Sequence, residues 1–149
     1  PKFTFEELER KEKDGIIWED TKYIDFKTDD VTLCQQFNRE IQELLTGYQD
    51  KRKVLITHMV NHERFLVKYT TRRDWSYFQG YLGSRDLQQL AYQADYAICA
   101  HVHYREVFEE KDTTFVCSCL GMPNEWQYFL PEKSLIEQIE HASFIVDLI

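Results

Sequence analysis

Two short apolar runs each deliver a histidine at the C-terminal end: Val54-Leu55-Ile56-Thr57 leads to His58, and Tyr96-Ala97-Ile98-Cys99-Ala100 leads to His101. Continuous apolar runs of this length fit strands buried on both faces. Between them, Ser84 is placed to cap a helix through Leu87, Leu90 and Ala91. Strand, helix, strand is a parallel unit by preference, and ligands gather beyond the C-terminal ends of parallel strands. The sequence therefore predicts an α/β fold with His58 and His101 on one sheet edge.

The remaining segments fill in that fold. Val31, Cys34, Phe37, Ile41, Leu44 and Leu45 recur at helical spacing, follow the cap candidates Thr28 and Asp29, and stop at Gly47. Residues 4–13, with Phe5 and Leu8 on one side, predict a short solvated helix ending at Gly15. A hairpin is expected from residues 105–108 and 113–119, turning at Glu110-Lys111-Asp112. Ser134 and Glu137 form a capping box for a helix over residues 135–141, and residues 144–149 read as a closing strand. From Asn61 to Tyr81, charges and aromatics mix without a sustained period. That is a long excursion with one helical turn, of the kind that borders active sites. No internal repeat or domain boundary is evident, so residues 1–149 are read as one unit.

Charge and cysteines narrow the partners and the compartment. A net charge of −8 with pI near 5.1 opposes broad binding to nucleic acid or to an anionic membrane. No apolar run approaches the roughly 20 residues of a membrane span, and the N-terminus lacks the basic and apolar regions of a signal peptide. Cys34 on a helical stripe and Cys99 in a strand run are expected to be buried free thiols. Cys117 and Cys119, two apart on a strand, face one side of a sheet and are read as structural. A reducing cytoplasmic setting is expected.

The histidines carry the chemistry. His58 and His62 stand four apart and His101 and His103 two apart, while His141 belongs to an amphipathic helix. Neutral imidazole suits zinc, iron or manganese. A His-x-His at a strand end, where the backbone turns, can direct its two rings at different ions.

The ordered set Val54 to His58, Tyr81-Leu82-Gly83-Ser84, Tyr96 to Arg105, Phe115 to Gly121 and Glu125-Trp126 resembles the C-terminal half of calcineurin-like metallophosphoesterases, especially a bacterial phosphoesterase group. The resemblance runs from about Val54 to Trp126. It implies a partial calcineurin-like sandwich, with a mixed β-sheet and flanking helices. It also implies His58, His101 and His103 as metal ligands, the first two on one divalent ion and His103 on the other, with manganese, iron or zinc as the metal. Asn61 and His62 would border the substrate, Arg105 would contact phosphate, and the parent enzyme would hydrolyse a phosphoester.

The sequence departs from the family at its start. No Asp-x-His or Gly-Asp-x-x-Asp occurs, Ala100 replaces the usual glycine, and Val60-Asn61-His62-Glu63 imitates Gly-Asn-His-Glu without its glycine and too late in the chain. The chain alone is therefore expected to lack activity. A noncatalytic interaction domain derived from the same fold, with residues 69–81 as its aromatic contact surface, is the alternative, and self-association would follow from an apolar face left open. A cupin-type metal site, prompted by His101, His103 and Glu106, ranks last because its second motif is missing and the helical content is too high.

Overall fold

The computed structural model describes residues 6, 10, 12–13, 15–66 and 75–147. Chain order is β1 (Glu12–Lys13), β2 (Ile16–Ile17), α1 (Asp30–Gly47), β3 (Val54–Thr57), α2 (Trp75–Phe78), α3 (Arg85–Ala91), β4 (Tyr96–Cys99), β5 (Arg105–Glu110), β6 (Thr113–Ser118), α4 (Trp126–Phe129) and α5 (Leu135–Ala142). The fold is α/β: a mixed four-stranded sheet of order β3-β4-β6-β5 with flanking helices. β3, β4 and β6 run parallel, and β5 returns antiparallel to β6. Lys111 and Asp112 turn the β5–β6 hairpin with φ of 50° and 65°. Two consecutive positive φ values match the twist of a tight hairpin.

Alternation along the strands divides the sheet into two unlike faces. Register aligns Leu55, Ala97, Phe115 and Phe108 in one row and Ile56, Ile98, Val116 and Val107 in the next, pointing the other way. On the first face, Ala97, Phe115 and Cys117 pack with Val60, Phe65, Leu82 and Ala91 in a sealed core. The C-terminal half of α1 joins it through Leu45 and Ile41, against Leu90 and Ala94. Arg105, on the second face, reaches α5 at Gln138 and His141. The ends of the second row stay open, with Ile56 72% and Val107 47% exposed.

A backbone clasp fastens the excursion. The Val60 N–H donates to the Leu82 carbonyl at 2.7 Å, and Val60 bridges Gly83 in parallel fashion. A Cβ at Gly83 would lie 2.0 Å from the Val60 carbonyl oxygen, so glycine is the residue that permits the approach.

Several local expectations need correction. Glu12–Lys13, expected to be helical, pair instead with Ile16–Ile17 around Gly15, whose φ of 78° serves the turn of a hairpin as readily as a helix stop. Residues 143–147 form no closing strand, and 148–149 lie outside the described residues. Cys34 is exposed, with Val31 and Phe37, because only the C-terminal half of α1 meets the core, and there only through Ile41 and Leu45, which leaves Leu44 exposed too. The aromatic segment turns inward where it is described, since Tyr77 and Phe78 are buried. Its residues 69–74 lie outside the described range.

Candidate functional site

β3 and β4 are parallel neighbours, with Thr57 opposite Cys99, so the residues just beyond them emerge together. His58 and His101 do so. His58 Nε2 lies 3.0 Å from His101 Nδ1, with the rings edge-on at 4.9 Å. His101 holds φ at 65°, a left-handed conformation uncommon for residues other than glycine, at the turn out of β4. Such strain at a strand end marks candidate functional positions. The Ala100 N–H, donating to the His58 carbonyl at 3.3 Å, helps hold the two turns side by side.

The local field favours a neutral His101 ring. Burial, reinforced by His58 and more weakly by His103, holds the His101 pKa below the ordinary histidine value, with Asp20 opposing. The neutral form is the one that ligates metals. Asp20 itself accepts from the Trp18 indole at 3.1 Å, and Trp18 stacks on Tyr81 at 4.9 Å and tilts toward His101 at 6.3 Å.

His103 sits two residues on and faces elsewhere. Its Nδ1 is 2.6 Å from Glu125 Oε2, an oxygen that also accepts the Met122 N–H at 2.7 Å. Those two contacts, the Met122 N–H first, hold the Glu125 carboxyl below its usual range. The structure thus pairs His58 with His101 and gives His103 a separate partner. Among the described residues, no three or more His, Cys, Asp or Glu side chains gather as a metal-binding group.

The substrate-side residues occupy different ground. Asn61 is fully buried: its amide donates to Thr57 Oγ1 at 3.3 Å, and its Oδ1 has no hydrogen-bond partner among the described residues. His62 is buried among Phe65, Phe108 and Phe115. Its Nδ1 accepts the Arg64 N–H at 3.0 Å, which leaves the proton on Nε2, 3.1 Å from the Tyr92 hydroxyl and 3.6 Å from Glu110 Oε2. Tyr92 in turn donates to Glu110 Oε1 at 2.5 Å. Burial lowers the His62 pKa, with Glu110 and Glu63 opposing. His62, Glu63, Arg64, Leu66, Gln79 and Glu110 line a recess of about 640 Å³, separate in its lining from the three candidate ligands.

Arg105 is engaged internally. Its guanidinium donates to the carbonyls of Cys119 and Leu120, to Gln138 Oε1 and to His141 Nδ1, at 2.9 to 3.0 Å, and lies over the Phe129 ring. In this arrangement it joins the strand β5 to the 119–120 segment and to α5.

Trp18, Asp20 and Glu125 are site neighbours that spacing did not single out. They reach the histidines from distant segments, and only Glu125 carried a signal, as part of the Glu125-Trp126 pair within the family resemblance. No family model matches the chain, and neither a curated protein nor a solved structure matches it.

Proposed function

We propose that this chain is the C-terminal part of a calcineurin-like, metal-dependent phosphoesterase whose late histidines bind divalent ions. The observation that carries the reading is the His58–His101 pair, two imidazole nitrogens 3.0 Å apart at adjacent parallel strand ends. Ligand bonds of about 2.0–2.1 Å to one ion accommodate donors at that separation. His58 and His101 would hold one ion of manganese, iron or zinc, and His103 would serve the other. Bound divalent ions supply Lewis acidity toward a phosphoryl group. This chain's own residues hold the His58 and His101 imidazoles side by side at the sheet edge, and Asn61 ties the turn after His58 back to Thr57. The missing Asp-x-His and Gly-Asp-x-x-Asp motifs leave the chain without activity of its own.

The exposed ends of the second face, Ile56 above all, support the partial-sandwich reading, because a parallel edge such as β3 is ordinarily covered on both sides. Titration with Zn²⁺ or Mn²⁺ tests the ligand assignment. Binding that weakens tenfold or more in both His58→Ala and His101→Ala is expected, and unchanged binding in both overturns it. Hydrolysis of an aryl phosphate by this chain and by one extended upstream tests the fragment reading. Equal activity in the two would sink it.

A noncatalytic interaction module is the second reading, favoured by the exposed apolar residues Ile56 on β3 and Phe37 and Leu44 on α1. Light scattering across a concentration series checks it, since a strict monomer counts against a large sticky face.

A further inference from the structure

We propose that Glu125 is the positioning residue for His103, fixing its tautomer so that Nε2 is left as the free donor atom. An ionised carboxylate only accepts hydrogen bonds, so a contact of 2.6 Å between Glu125 Oε2 and His103 Nδ1 places a proton on Nδ1. In the neutral ring the lone pair then resides on Nε2.

The loop carrying Glu125 is built to hold that carboxylate still. Met122 and Glu125 exchange backbone and side-chain bonds: the Met122 N–H donates to Oε2 at 2.7 Å, and the Glu125 N–H donates to the Met122 carbonyl at 2.8 Å. The Leu120 carbonyl accepts from both Trp126 Nε1 and Arg105 Nη2. Gly121, at φ of 70°, passes so close that a Cβ there would lie 3.0 Å from Oε2. A chain of contacts thus runs from α5 through Arg105 and the 119–126 loop to His103.

A carboxylate behind a histidine is the arrangement that orients metal-binding imidazoles and raises their basicity, and its loss weakens metal affinity about 10- to 100-fold. That consequence rests on the phosphoesterase reading; the tautomer does not. The experiment therefore separates them. Long-range ¹H–¹⁵N correlation spectra of the full chain at about pH 8, where ordinary histidines are neutral, are expected to show His103 as the Nδ1–H form. Glu125→Ala is expected to return it to the Nε2–H form, while Glu125→Gln, whose amide oxygen can still accept, retains the Nδ1–H form. Zn²⁺ titration of the same proteins is expected to show the affinity loss in Glu125→Ala and its partial recovery in Glu125→Gln.

An Nε2–H ring in the parent chain, or an unchanged tautomer in Glu125→Ala, overturns the assignment. If the tautomer responds as expected but no variant or parent binds Zn²⁺, the positioning role stands and the phosphoesterase reading falls.

Discussion

The two faces of the four-stranded sheet are built from the same strands in the same register, yet one is finished and the other is not. The row Leu55, Ala97, Phe115, Phe108 is roofed by Val60, Phe65, Leu82 and Ala91, and Phe115 is fully buried. The next row buries Val116 but leaves Ile56 and Val107 open at its two ends, with α5 and the Phe144 ring covering its surroundings only in part. A face rich in β-branched residues and left uncovered is a surface suited to another layer. The comparison separates residues that hold this chain together from residues that suit an addition to it.

The sharpest way to break the contrast is to truncate one residue on each face. Phe115→Ala is expected to cost about 3–5 kcal/mol of unfolding free energy, because a buried aromatic leaves a cavity that the surroundings fill poorly. Ile56→Ala should cost less than about 1 kcal/mol, since little of it leaves water on folding. Urea titrations decide the matter, and equal losses would mean that the second face is covered in solution.

The roof of the sealed face can be attacked next. Gly83→Ala pushes a methyl into the Val60 carbonyl and is expected to cost about 1–3 kcal/mol. A matched urea midpoint would show that the clasp yields.

Acidity offers a gentler probe. His62 lies in the sealed core with its pKa below the ordinary value of about 6.5, and His101 is lowered as well. The unfolded chain therefore binds more protons than the folded one between those values. Stability is full above about pH 6.5 and falls as the pH drops toward the folded-state pKa. Glu110, Glu125 and Glu137 are also depressed but titrate lower, from an ordinary 4.5 downward. Unfolding midpoints at pH 7.5 and 5.5 are expected to differ in that direction, and less so in His62→Gln. A midpoint that rises on acidification contradicts the assignment.

The smallest effect expected is on association. Replacing both Ile56 and Val107 with Thr should leave the unfolding midpoint nearly unchanged while reducing any concentration-dependent light scattering. Scattering that persists points instead to the exposed stripe of α1.

Much of this architecture can be read from local pattern. The strand-helix-strand unit, the β5–β6 hairpin and the capping box at Ser134 each depend on residues close in sequence, so periodicity and capping reveal them. Asp29 caps α1, and Gly47 ends it, for the same reason. Burial is less legible. The stripe on α1 has a helical period along its whole length, but only Ile41 and Leu45 find partners, and no local signal says where the neighbouring layer stops. Residues 12–17 went the other way, with Gly15 supporting a hairpin that charge patterning disguised as the end of a helix.

The candidate site divides along the same line. His58 and His101 could be placed together because parallel strands bring their ends together. His62, expected to border the substrate four residues later, is drawn by tertiary packing among Phe65, Phe108 and Phe115. Glu125 lies within the segment of the family resemblance, but its pairing with His103 appears only in the fold, which brings a loop back from 22 residues away.

The Val60–Gly83 clasp has a consequence for how such a chain can change. It brings the two ends of the excursion to one point, so the intervening stretch is a circuit closed at its base. Closing such a circuit costs an entropy that grows only with the logarithm of its length. The strand ends that carry His58 and His101 lie outside the circuit. A change in the length of the circuit therefore need not reset the register that brings the two imidazoles together.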